Sequence, residues 1–472
     1  MLSFVLAASL AAAPSPRAAT ASETVVHIPR LDALQGLTAF LTEAGQNAAL
    51  MRPAVWLAEL HPYLPLDPNQ PDSLQGLGID PAGAVTLSVR TTGRVSCTRL
   101  SDPKLFQQKA AERLAAGSGK SLEIKPTTSA GVTSVLVPRE AGGQAGYALK
   151  GQEACAFASG GGGFVDDGQG KVLLKEASRL VTQTPKADAK LAPLPGAAYL
   201  VMPKRGLVVG LDGTASELRM EGTSTELPLP PFQSASGTSP YGTMKPGGLL
   251  FSRARMTPAG LAAAMGNVRA SIQQACPACP AAEVSSVARE VTERLTGHVL
   301  VAVDGVRSRP NVRTPEGRFF ASRLALAAEV TDAAAMKKAL APLAKFPGAR
   351  ALEDGHALDV KGGTLFVRLK GRQLVMGNDE AVAGSVLASI PETGGALPHA
   401  VDYSVNPQRV ASGLKQVSLM DVVSDQRLAA LFTAGLELGP LLARSANITG
   451  WLDSAAGGAH RFSSRWTLAP TR

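Results

Sequence analysis

Aromatic side chains are scarce, at 4 % of the chain, so any core has to be built from Ala, Val and Leu. Charge of either sign is never concentrated: 47 basic and 38 acidic residues are spread singly, for a formal net charge of +9. A groove that tracks phosphates wants basic clusters interleaved with aromatics, so nucleic acid is not an expected partner. The six histidines (His27, His61, His298, His356, His399, His460) form no HExxH and no i, i+4 pair. No metal site and no cofactor is therefore expected. After the N-terminus, no stretch is apolar enough to anchor the chain in a bilayer.

The short motifs that do occur lack their context. Gly119-Lys120-Ser121 has Leu114 where a phosphate loop needs glycine, and it leads into a strand and not a helix. Gly160 to Gly163 reads as a glycine-rich loop and Asp166-Asp167 as a solvated turn. Ser101-Asp102-Pro103-Lys104 and Ser412-Gly413-Leu414-Lys415 fit the SxxK of penicillin-recognising enzymes, but no Lys-Ser/Thr-Gly follows them. No catalytic residue is assigned, and a non-enzymatic protein is the expectation.

The chain has 472 residues, 45 % of them hydrophobic and 18 % charged, which are the proportions of a globular protein. Residues 1–22 read as a signal peptide: Leu2 to Ala13 is an apolar run, and Ala18-Ala19 offers a small-residue cleavage site. A periplasmic or secreted location follows, without a transmembrane anchor once the signal is removed.

The mature chain reads as a duplication. Leu149-Lys150-Gly151-Gln152 recurs as Leu369-Lys370-Gly371-Arg372, each in an alternating apolar stretch and each preceded by a glycine pair, Gly142-Gly143 and Gly362-Gly363. Ser101-Asp102 and Thr331-Asp332 stand before corresponding helices as caps. Asp32 and Thr257 stand before the first helix of each half. The expected fold is α+β: two tandem modules, each a mainly antiparallel sheet packed with helices. The expected boundaries are module one at 23–227, a Pro/Ser/Gly-rich linker at 228–248, and module two at 249–472 with an extra helical segment at 426–443.

Superposing the repeats sets Cys97 against Ala327 and Cys155 against Val375, both apolar, so a Cys97–Cys155 disulfide across neighbouring strands is expected. Cys276-Pro277-Ala278-Cys279 lies in a Pro- and Ala-rich link between helical stretches. A local disulfide stapling that turn is favoured over thiol-disulfide chemistry, which would place the motif at a helix start after a strand.

This plan of signal, turn residues and element order resembles bacterial exported families of unknown function built from repeated α+β units. Three functions are carried forward. The first is a non-enzymatic cell-envelope protein acting as an interaction scaffold for other envelope proteins, in a surface or motility assembly. The second is a periplasmic carrier of a lipid or other apolar ligand. The third is a thiol-disulfide active protein working through Cys276 and Cys279.

Overall fold

The computed structural model describes residues 24–44, 75–90, 92–118, 123–140, 142–159, 168–183, 194, 196–225, 232, 237–306, 322–415, 429–454 and 458–470. The chain divides into two compact units, Met1–Glu226 and Leu227–Arg472. The signal segment, Gly119 to Ser121, Gly160 to Gly163, Asp166-Asp167 and residues 426–428 lie outside the described residues.

The first unit is an antiparallel sheet of strands β1 (Thr24–Ile28), β2 (Val85–Arg90), β3 (Gly93–Arg99), β4 (Thr127–Ser129), β5 (Val132–Pro138), β6 (Gln144–Lys150), β7 (Glu153–Ser159), β8 (Ala198–Met202), β9 (Leu207–Thr214) and β10 (Glu217–Ser224). Across the sheet they run β4-β5-β6-β7-β3-β2-β1-β8-β9-β10. Strands β6 and β7 are buried on both faces because helices cover both. Tyr147, Leu149 and Ala156 cluster with Phe106, Ala110 and Leu114 of one helix, α2 (Pro103–Gly117); α1 is Gln35–Ala44. Residues of opposite parity, Ala148, Cys155 and Phe157, cluster with Leu173 and Ala177 of α3 (Gln169–Leu180). The alternation of side chains along a strand dictates this partition.

Local chemistry fixes the helix starts and the central hairpin. The Asp102 carboxylate accepts from the amides of Lys104 (2.9 Å) and Leu105 (3.1 Å), and Pro103 occupies the first helical position. Gly151 joins β6 to β7 at φ +59°, as the first residue of a two-residue hairpin loop requires. Asp32 does not cap a helix. It lies inside a 3₁₀ turn, Leu31–Leu34, and its carboxylate takes the Arg30 guanidinium at 2.6 and 2.9 Å instead.

The second unit holds β11 (Thr238–Ser239), β12 (Leu250–Arg255), β13 (Leu295–Val306), β14 (Ser322–Val330), β15 (Ala349–Leu352), β16 (Gly355–Val360), β17 (Gly363–Lys370), β18 (Gln373–Gly377), β19 (Gly395–Ala396), β20 (Val401–Val405), β21 (Ser445–Ser454) and β22 (His460–Leu468). Ten of these form an antiparallel sheet in the order β15-β16-β17-β18-β14-β13-β12-β20-β21-β22. Its helices among the described residues are α4 (Pro258–Ala275), α5 (Ala281–Glu293), α6 (Ala333–Leu340), α7 (Glu380–Ser389), α8 (Pro407–Leu414) and α9 (Ala429–Arg444). Thr257, Asp332, Asp379 and Asn406 cap α4, α6, α7 and α8 with side-chain oxygens. The core of α4, α5 and α6 gathers around Met336, Leu340, Val367 and Leu374, and a second core joins α7 to Phe251, Phe366 and Val375.

The Pro-rich stretch expected as a linker contributes to this unit. Thr238–Ser239 pairs with Gly395–Ala396, and Tyr241 is 0 % exposed. Proline prevents long ladders but not a two-residue one, and the bends it imposes turn backbone carbonyls toward Arg253. The Arg253 Nη1 donates to the carbonyls of Tyr241 (3.1 Å) and Gly242 (2.6 Å).

Candidate functional site

All four cysteines are in disulfides. Cys97 on β3 stands directly opposite Cys155 on β7 and is bonded to it, with the Cα atoms 4.0 Å apart. Cys276 ends α4, Cys279 stands two residues before α5, and the two are bonded across that turn. Both are under 10 % exposed and packed with Met265, Val284 and Val291. Packing in an apolar cluster leaves little of either cysteine exposed to an attacking thiolate. The two pairs lie in different units.

The chemistry collects elsewhere, on one face of β12, β20, β21 and β22. Cross-strand register lines up two transverse rows: Arg253, Asp402, Trp451 and Ser463 in one, and Phe251, Ser404, Thr449 and Arg465 in the other. Alternate residues share a face, so Asp453 adds a further side chain beside the first row. The opposite face carries Ala254, Val401 and Leu452, which pack with Leu261 of α4. Phe251 on the first face is buried, and the rest of that face borders a cleft of about 450 Å³. A second recess of about 420 Å³ shares Pro246 and Ser404 with it and continues past Asn406 and Asn447.

Three interactions hold the cleft walls. The His399 Nδ1 lies 2.9 Å from the Asp453 Oδ2; a carboxylate can only accept, so Nδ1 donates. The other Asp453 oxygen accepts from the Ala400 amide at 2.8 Å. The His399 ring is stacked on Trp451, with centroids 4.3 Å apart and planes within 7°. Arg253, held by the carbonyls of 241–244, places its Nε 3.8 Å from the Asp402 Oδ2, too far for a hydrogen bond. Neither atom has a hydrogen-bond partner among the described residues, although both are buried. The Ser404 hydroxyl donates to the Asn447 Oδ1 at 3.1 Å and so is not presented to His399.

Burial pushes the Asp402 carboxyl above its ordinary range, and nearby Asp453 adds to the shift while Arg253 and His399 oppose it. Such a group binds its proton more tightly when folded. Its contribution is fullest at low pH and is lost as pH rises from about 4 toward the raised value. Asp402→Asn, which cannot ionise, is expected to gain on the wild type in thermal denaturation as pH rises from about 4 to 7. A gap between the two proteins that stayed flat or shrank over that interval would contradict this.

The sequence marks Ser404 and Asn406 only as a chance SxN match and Trp451 and Asp453 only as part of a repeat, and it does not mark these residues as one site. The one available signal was parity: Thr449, Trp451 and Asp453 alternate along one strand, as do Asp402 and Ser404 along another. Comparison of the chain with family models, with curated proteins and with solved structures finds no significant match to any of the three.

Proposed function

We propose that this chain is a non-enzymatic exported protein of the cell envelope, built from two duplicated α+β modules, that recognises its partner through the cleft of the second. The observation that carries the recognition is the pair of transverse rows, which sets the half-buried Arg253–Asp402 pair beside the His399–Trp451 stack on one face. Small-ligand sites are clefts of about 300–1,000 Å³ with a few convergent polar groups, and this one has that size and character.

Duplication is supported by connectivity. Setting aside the two-residue β11 and β19, the strand order of the first unit maps onto that of the second one for one. Cys97 faces Cys155 where Ala327 faces Val375, and Gly151 and Gly371 open equivalent hairpins at φ +59° and +54°. Export is supported by the two disulfides, which persist in oxidising compartments.

The other readings find less support. The apolar crevice between α4, α5 and the core has a volume of about 50 Å³, too small for a lipid chain. Thiol-disulfide activity would need Cys276 or Cys279 exposed, and both are buried.

Thr449→Trp would fill the cleft from a side chain that is only partly buried. Purified protein lacking residues 1–22 should co-sediment with envelope material from the producing bacterium, and Thr449→Trp should reduce the bound fraction at least about tenfold. Equal retention of the two proteins would sink the cleft as the recognition surface.

A further inference from the structure

Resting on the reading of the cleft as a recognition surface, we infer that its ligand carries an oxyanion, a carboxylate or phosphate group, seated in the second recess on Asn406, Arg409 and Asn447. All three line that recess. Val405 pairs with Ile448, so the next residues along, Asn406 and Asn447, are neighbours across the β20–β21 ladder. A β-bulge at Ala446, which also lines the recess, immediately precedes Asn447. The Asn406 Oδ1 accepts from the Arg409 amide and the Asn447 Oδ1 from the Ser404 hydroxyl, each at 3.1 Å. Each residue keeps an NH2 group with no hydrogen bond among the described residues, and such a group only donates. The Arg409 guanidinium is held through Nη1, which donates to the Asp304 carbonyl and Oδ1, both at 2.8 Å. Its Nε and Nη2 make no hydrogen bond among the described residues. Those two N–H groups form the parallel fork that grips a carboxylate or phosphate with two bonds. The Arg409 side chain is 50 % exposed and both asparagines are half-buried, so the donors are within reach of a solute.

The number of charges around the two recesses is even and does not set the sign of the guest. Arg253, Arg323, Arg409 and Arg465 stand against Asp304, Asp379, Asp402 and Asp453. Their placement sets it. Asp304 is shared between Arg409 and Arg323, and Arg323 also holds Asp379. The Asp402 side chain is only 19 % exposed, and both Asp453 oxygens are engaged, by His399 and by the Ala400 amide. The exposed charged residues of the lining are Arg409 and Arg465. A solute entering from water therefore meets guanidinium before carboxylate. An ammonium has nothing to accept from these donors, and a hydroxyl offers a single oxygen to a fork that suits two. A carboxylate or phosphate satisfies the fork and has lone pairs left for both asparagines.

The test is a ligand-observed NMR titration of the protein lacking residues 1–22 with 4-phenylbutanoate and with phenyl phosphate. 4-Phenylbutanamide and 4-phenylbutylammonium are the neutral and cationic controls, and the phenyl ring common to all four supplies the signals. At least one oxyanion probe is expected to bind with a Kd below about 5 mM, and both controls at least about tenfold more weakly. The tighter of the two oxyanion probes identifies the group as carboxylate or phosphate. Arg409→Gln should weaken that probe at least about tenfold. Asn447→Asp should do the same, since it keeps an acceptor for Ser404 but sets a negative charge where the NH2 donor stood. The comparison among probes is made on the wild type, so it decides even where a variant misfolds. Failure of both oxyanion probes, equal binding of the amide, or oxyanion binding indifferent to both substitutions overturns the inference. Envelope retention that remained sensitive to Thr449→Trp would then leave the cleft itself standing. Retention indifferent to Thr449→Trp removes the underlying reading and the inference with it.

Discussion

Replacing Phe106 by alanine is expected to lower the unfolding free energy of the first unit by about 4 kcal/mol. Phe106 is 0 % exposed at the centre of the cluster that α2 forms with β6 and β7. Truncating a fully buried phenylalanine costs about 3–5 kcal/mol through lost burial and the cavity it leaves. Its ring also meets Tyr147 edge to face, with centroids 5.8 Å apart and planes at 79°, a contact worth about 1 kcal/mol beyond area. A chain with few aromatics has little else of that size to fill the space. Urea denaturation followed by far-ultraviolet circular dichroism would measure the loss, and a cost below about 1 kcal/mol would contradict this placement of α2.

The second large effect belongs to the Cys97–Cys155 disulfide. The link spans 58 residues, and restricting a loop of that length in the unfolded chain is worth about 4 kcal/mol. Removing it leaves a packing question as well, because Cys155 is 2 % exposed and lies among Phe157, Leu173 and Ala177. In the second unit Ala327 stands opposite Val375 without a cross-link. Cys97→Ala with Cys155→Val should therefore lose about the cross-link term alone, whereas alanine at both positions should cost about 1 kcal/mol more. Removing the Cys276–Cys279 link, three residues apart, should cost clearly less, since so short a loop has little entropy to lose. Melting temperatures of the three variants and the wild type decide the order, and equal losses from the long and the short link would refute it.

The parts of this fold legible in the sequence are those set by neighbours along the chain. Caps such as Asp102, Asp332 and Thr257 act within three residues of themselves. The alternation around Lys150-Gly151 and Lys370-Gly371 marks antiparallel hairpins because strand parity and turn chemistry are local properties. Asp32 departs from the capping pattern because it falls inside the 3₁₀ turn Leu31–Leu34, where its carboxylate pairs with Arg30. Proline content speaks to ladder length and not to burial, and Tyr241, in the proline-rich stretch, is buried.

The cleft was illegible for a different reason. Phe251 and Arg465, both in its lining, stand on β12 and β22, far apart in the chain. They share a row only because four strands pair in a particular register. A shift of one residue in any of those ladders would carry its side chains to the opposite face. His399, in the bend before β20, gained a role by meeting Asp453 and Trp451 of β21. Such a pairing has no short-range signature.

The measurement that bears most directly on this account is amide hydrogen exchange of the protein lacking residues 1–22, with and without the envelope material it is proposed to bind. Protection on binding is expected to concentrate at 398–404, 449–453 and 463–465, the segments that line the cleft. Protection confined to other segments, or none where binding is seen by sedimentation, would contradict it.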